Sequence, residues 1–345
     1  MNKQIRPLAK EDFSLYQTME TGLQEDYMLR LFPGLTSGEN RLYGLFIDEQ
    51  LVSTAGYTVF AHHYIMLGRL RSDKRFRGNN YGTEILQYAK DQALQLQDVS
   101  FVGANTEAHN HSAQKVLAKI GLPHVITLFA AQTTNLSSLV SSKAASWSKI
   151  ENIGRKLEWL KRTYLNEDFP ETIFPFEAYY PFPASEDLFK EETVRNWQFY
   201  ENASQTRYLI LWEEDKGDHY LHITYPWSDF MEQEGFWTTV ASVYEGIQRD
   251  QPETILWIDL TREEAALLPA DHPFELPSPW MLHGVHPDKP AERPDEPDVG
   301  ETLDKAFESL EFLEQEIQDL EQELNETIQK TDTLKQTLDE LDTDS

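Results

Sequence analysis

The residues best suited to chemistry form one run, Arg69-Leu-Arg-Ser-Asp-Lys-Arg-Phe-Arg-Gly-Asn-Asn-Tyr-Gly82, between a β-rich segment and an amphipathic helix. Five cations (Arg69, Arg71, Lys74, Arg75, Arg77) stand there against one acid, Asp73. Gly78 and Gly82 bring no side chain between the backbone and a ligand, and a helix opening at Tyr81 offers unpaired N–H groups and the positive end of its dipole. This combination predicts a pyrophosphate cradle made of Arg77, Gly78, Asn79, Asn80, Tyr81, Gly82 and Thr83. Neither GxxxxGK[ST] nor GxGxxG occurs, so a P-loop and a dinucleotide fingerprint are excluded.

The run Arg77-Gly-Asn-Asn80-Tyr-Gly82 resembles the Arg/Gln-x-x-Gly-x-Gly/Ala motif of the GNAT superfamily of N-acetyltransferases. Asn80 stands where the motif has its central glycine, and Asn is the residue that best tolerates φ > 0 after glycine. A second stretch, Asn110-His-Ser-Ala113-Gln-Lys-Val116-Leu117-Ala-Lys119-Ile-Gly121-Leu122, is similar to the family's next strand–helix signature. The resemblance covers about 40% of the chain. It implies a mixed α/β fold, a central sheet flanked by helices, and acetyl-CoA as co-substrate. It further implies that Leu70, Arg71 and Ser72 offer main-chain groups to the pantetheine arm and that Asn110 lies beside the cofactor. Leu117 departs from the family, which commonly has Tyr there to protonate the departing thiolate. Ser112, Tyr81 or water is the candidate replacement acid, or the thiolate leaves unassisted.

Glu107, just beyond the strand expected to face the acyl group, is the candidate general base for an attacking amine. Glu25 and Asp26 lie where the family walls its acceptor site and are candidates to pair an ammonium. His62-His63 and His109/His111 lack the i, i+4 carboxylate–His spacing of a metal site, so no metal is expected.

These groups need a scaffold. Strands are expected at Gln4–Leu8, Leu42–Asp48, Leu51–Phe60, Tyr64–Arg71, Ser100–Asn105 and His124–Ala131. Helices are expected at Lys10–Glu20, Tyr81–Gln97 and Asn110–Ile120, the last with Ala113, Val116, Leu117 and Ile120 on one face. A serine-rich connector leads to a helix at Lys149–Tyr164, and Phe169–Pro183 reads as irregular. Strands at Tyr208–Trp212 and Tyr220–Tyr225 flank a Lys216-Gly217-Asp218 turn. A helix at Phe236–Arg249, a strand at Thr254–Leu260 and a helix at Arg262–Leu268 follow. This order repeats the first half without its glycines, which predicts a degenerate second copy. The expected organisation is an acetyl-CoA-binding domain at 1–135, a connector at 136–164, an acidic GNAT-like domain at 165–283, a Pro-rich linker at 284–300 and a coiled coil at 301–345.

The tail carries Leu303, Leu310, Ile317, Leu324, Thr331 and Leu338 at a, and Ala306, Leu313, Leu320, Thr327, Leu334 and Leu341 at d. That repeat is a coiled-coil seam. Its e and g charges (Glu316, Glu321, Lys330, Lys335) favour antiparallel pairing, or a basic partner helix, over a parallel homodimer.

Net charge is −29 over 345 residues, with no cysteine. Residues 1–150 hold 15 Lys and Arg against 13 Asp and Glu, so the acidity belongs to the remainder. A chain this acidic is repelled by nucleic acid. No apolar run reaches the length of a membrane span, and the start lacks a signal peptide, so cytoplasmic residence is expected. Three classes compete: an N-acyltransferase acting on a small-molecule or peptide amine, a non-catalytic acyl-CoA-binding protein, and a coiled-coil scaffold.

Overall fold

The computed structural model describes residues 2–140 and 144–287, so the expected coiled coil and most of the expected linker lie outside the described residues. The chain opens with β1 (Lys3–Pro7), a 3-10 turn at Lys10–Asp12, α1 (Phe13–Gln17) and α2 (Tyr27–Leu35). The single helix expected over Lys10–Glu20 is thus a turn plus a five-residue helix. β2 (Asn40–Ile47) and β3 (Gln50–Phe60) make a hairpin, and its turn residues Asp48 and Glu49 both take positive φ, 46° and 70°. That geometry matches the right-handed twist of the flanking strands. β4 (Tyr64–Ser72), α3 (Tyr81–Ala93), β5 (Phe101–Glu107), α4 (His111–Lys119) and β6 (His124–Thr133) follow. On α3, Ile85, Leu86, Ala89 and Ala93 are buried, the face that the sequence periodicity indicates.

Beyond the connector come β7 (Ser148–Ile150), α5 (Ile153–Arg162), β8 (Ile173–Glu177), β9 (Tyr180–Pro183), α6 (Glu191–Asn196) and β10 (Gln198–Glu201). β11 (Tyr208–Lys216), β12 (Asp218–Thr224), α7 (Phe236–Gln248), β13 (Ile255–Leu260), α8 (Arg262–Ala265) and β14 (Trp280–Val285) complete the described chain. Several expectations need correction. The helix expected from Lys149 starts only at Ile153, after the Asn152 side chain accepts from the Arg155 N–H, and Ser148–Ile150 is a strand. Phe169–Pro183 is not irregular throughout, since β8 and β9 pair as a two-stranded ribbon with Pro175 opposite Pro181. A ribbon with two free edges accommodates residues that lack an N–H. Gly284 and Val285, expected to open the linker, close β14 instead.

All other strands form one twelve-stranded sheet, ordered β1-β2-β3-β4-β5-β14-β6-β13-β12-β11-β10-β7. Read from either end, this order is the same. β1 corresponds to β7, β2 to β10, β3 to β11, β4 to β12, β5 to β13 and β6 to β14. β4 and β5 are parallel across α3, and β12 and β13 are parallel across α7; the two helices have 13 residues each. The central pair is exchanged between the halves. β14, from the end of the described chain, runs antiparallel to β5, while β6 pairs with β14 through His124–Leu128 and with β13 through Phe129–Thr133.

One core lies under α3, built from Leu45, Val52, Ile65, Ile85, Val102 and Leu117 among others. A second, aromatic core joins Tyr64, Met66 and Phe101 of the first half to Phe174, Phe182, Trp197 and Tyr208 of the second. Large apolar side chains taken fully out of water contribute roughly 1.5–3 kcal/mol each, so this shared core binds the halves strongly.

Candidate functional site

β4 and β5 run side by side from Tyr64/Phe101 to Leu67/Ala104 and then separate. A bulge in β4 causes the divergence. Thr54 of β3 pairs with Arg71 and Gly56 pairs with Gly68, which leaves Arg69 and Leu70 both facing Ala55. Arg69 sits at φ 58°, and the extra residue bends the strand. The opening is a cleft of about 1140 Å³.

The first wall is the phosphate-type loop. Asp73, fully buried, accepts from the Arg75 N–H (2.9 Å), Arg75 Nε (2.8 Å) and the Glu20 N–H (3.2 Å). Its Arg75 hydrogen bonds, chief among these contacts, push its carboxyl down to about 2. The lone acid of the run therefore organises the loop. Lys74 pairs with Glu20 at 2.9 Å, whereas Arg77 donates to the Thr21 carbonyl (2.9 Å) and lines the cleft with no carboxylate partner among the described residues. Gly78 takes φ 85° and Asn80, the N-cap of α3, takes φ 62°, the left-handed geometry that the motif's glycines serve. The Asn79 side chain donates to the Phe76 carbonyl, and Tyr81, Gly82 and Thr83 form the first turn of α3. A Cβ on Gly82 would come 3.1 Å from Ser72 Oγ, a tight contact that this turn avoids by having no side chain. Leu70, Arg71 and Ser72 line the cleft from β4.

The opposite wall belongs to β5 and α4. Asn110 lines the cleft, and its side chain caps α4 by accepting from the Ala113 N–H (3.1 Å). Ser112 lines the cleft from the first turn of α4. Leu117 is 3% exposed, part of the core under α3 and of the cleft lining at once. Glu107 ends β5 opposite Trp280 of β14, and His109 Nδ1 lies 3.1 Å from its carboxylate and 2.9 Å from Ser278 Oγ.

The two acids expected to pair an ammonium are elsewhere. Asp26, 4% exposed at its side chain, is held by Arg71 (3.1 Å) and by the Tyr16 hydroxyl, and it caps α2 through the Met28 N–H (3.1 Å). Burial works against its charge, but the hydrogen bonds from Tyr16 and Arg71 together hold its carboxyl below the usual range. Glu25 is exposed and does not line the cleft. Residues the sequence reading missed stand in their place. Tyr27 of α2, Asn105 of β5, Tyr179 and Tyr180 of the β8–β9 ribbon, Lys216 of β11 and Trp280 of β14 all line the cleft. Asn105 Nδ2 donates to the Tyr179 carbonyl (2.6 Å), while its Oδ1 is buried without a partner. No short-range motif marks these positions, because the ribbon and β14 reach the cleft only through the exchanged sheet.

The residues fit a coenzyme A thioester. A glycine sits at the close approach, the N–H groups of a helix start are unpaired, Arg77 is uncompensated, and β4 beyond its bulge has left β5, which frees main-chain groups for an extended arm. No group of His, Asp and Glu among the described residues has the arrangement of a metal site, and none of their helices is long and apolar enough to cross a membrane.

Among curated proteins none matches this chain. Solved structures do. A GCN5-related N-acetyltransferase from Sphaerobacter thermophilus is 13% identical, covers 83% of this chain and 96% of its own, and has a TM-score of 0.48. The ribosomal-protein-S18-alanine N-acetyltransferase from Escherichia coli is 14% identical, covers 36% and 81%, and has a TM-score of 0.33. An N-acetyltransferase from Staphylococcus aureus Mu50 is 18% identical, covers 37% and 88%, and also has a TM-score of 0.33. The model of the acetyltransferase (GNAT) family matches residues 3–122, the segment from β1 to the end of α4 that carries both the bulged strand and the phosphate-type loop. Over residues 3–122 the chain is thus similar to the acetyltransferase (GNAT) family.

Proposed function

We propose that the protein transfers an acetyl group from acetyl-CoA to a primary amine by direct attack in a ternary complex. The observation that carries this reading is the divergence of β4 from β5 at the Arg69–Leu70 bulge, directly over the start of α3. Arg77 and the amides from Gly78 to Thr83 would hold the pyrophosphate, and Leu70, Arg71 and Ser72 the extended arm. A β4 main-chain N–H would polarise the thioester carbonyl. Glu107 would take the ammonium proton, directly or through a water. The amine nitrogen bonds to the carbonyl carbon as the carbon–sulfur bond breaks, and the departing thiolate takes a proton from Ser112 or solvent. Leu117 cannot donate that proton. Because a thiol is a fair leaving group, the loss of a general acid costs about 10²–10⁴-fold in rate and leaves the reaction feasible.

Calorimetric titration with acetyl-CoA tests the reading. Arg77→Ala and Gly82→Asp are each expected to weaken binding at least about tenfold, near 1.4 kcal/mol. Parent-like binding by both variants would remove the loop assignment. Turnover on an amine panel then separates the enzyme from an acyl-CoA-binding protein that lacks chemistry.

A further inference from the structure

On the acceptor side of the cleft the carboxylates are shared unevenly among the cations. Arg71 is paired with Asp26, and Lys216 with Glu177 (3.1 Å) and Glu214 (3.3 Å). Arg69 and Arg30 also line the cleft, and neither is in an ion pair with a carboxylate among the described residues. Arg69 leaves the bulge on the face of the sheet away from α3. Its Nη2 donates to Asn40 Oδ1 (2.6 Å) and to Thr58 Oγ1, both neutral, and its Nη1 is buried with no hydrogen-bond partner. Burial, the main influence on this group, pulls its proton affinity down. A guanidinium nonetheless stays charged in a protein. Arg69 is part-buried and has no counter-charge among the described residues, so its field toward the cleft is only partly screened. Around it the lining is aromatic: Tyr27, Phe60, Tyr179, Tyr180 and Trp280.

We infer that the acceptor is an amine that carries its own carboxylate, an amino acid with an apolar side chain. The carboxylate lies in the combined field of Arg69 and Arg30, the side chain lies against the rings, and the amine lies toward Glu107. This inference rests on the acetyl-transfer reading and specifies its substrate. Phosphoethanolamine fits less well, because it brings no apolar side chain to the aromatic lining.

The test uses the full chain saturated with coenzyme A, so that no turnover intervenes. Phenylalanine, phenethylamine and phosphoethanolamine are titrated by calorimetry, and the same comparison is made between each amino acid with an apolar side chain and its amide. At least one amino acid is expected to bind about tenfold or more tighter than its amide. Arg69→Met is expected to erase that preference and Arg69→Lys to keep part of it. If Arg69→Met does not fold, Arg30→Gln at the exposed mouth is expected to reduce the preference about threefold. Equal or weaker binding of every amino acid relative to its amide, or tighter binding of phosphoethanolamine, overturns the inference. Failure of acetyl-CoA itself to bind removes the transfer reading first. Acetyl-CoA binding without a carboxylate preference removes only this inference.

Discussion

Asp26 shows how a carboxylate in the expected place can serve a different purpose. The family resemblance implies an acceptor-site acid there. Its partners, Arg71, Tyr16 and the Met28 amide, instead make it the pin that holds α2 against β4. Asp26→Asn is expected to cost roughly 1–3 kcal/mol in urea unfolding, because it leaves buried donors without their charged partner. A raised acceptor KM with unchanged stability would return Asp26 to the acceptor site. The backbone geometry of the proposed cofactor side was legible because its residues are contiguous: loop, N-cap and first turn all lie between Arg77 and Thr83. The electrostatics of the other side were not legible. Whether Arg69 or Arg71 is left without a carboxylate depends on which one meets Asp26, 45 residues away.

At the scale of the element, β14 decides whether the proposed acceptor wall exists. Gly103 and Gly284 face each other across β5 and β14, and a Cβ on Gly284 would meet the Phe101 ring at 2.1 Å. Gly284→Val is expected to destabilise the fold by about 1–3 kcal/mol through overpacking. Where the protein still folds, the amine KM should rise while acetyl-CoA affinity holds, since Trp280 moves and the phosphate loop does not. An unchanged amine KM would detach Trp280 from the acceptor site. Long periodic elements such as α3, α4 and α7 were readable from their apolar spacing. β7, β10 and the β8–β9 ribbon were not. They have three to five residues each, too few for a period to register, and the ribbon's prolines imitate a loop. β14 was hidden for another reason: its glycine adjoins a Pro-rich stretch, and its partners lie more than a hundred residues earlier.

Over the whole molecule, the two halves share a strand order and differ in what they leave open. In the first half the start of α3 faces the cleft. In the second half the start of α7 is covered. A Cβ on Gly235 would come 2.2 Å from the Ala145 carbonyl oxygen, and Trp147 ties its N–H to Thr239 Oγ1 (2.7 Å) and its indole to the Glu234 carbonyl (2.8 Å). Trp227 fills the neighbouring space against Trp159, Phe169, Tyr208 and Tyr225. One acetyl-CoA per chain is therefore expected by calorimetry, and a stoichiometry of two would contradict the closed second half. The exchanged strands also impose an order in time. As the chain emerges from the ribosome, β5 has no neighbour on its outer side until Trp280–Val285 has been made, and β6 likewise awaits both β13 and β14. Unpaired edges invite association with other chains, and long-range pairings form slowly. The nascent N-terminal domain thus stays unfinished through most of translation, and the Trp280 wall of its cleft closes only after the second half has been synthesised.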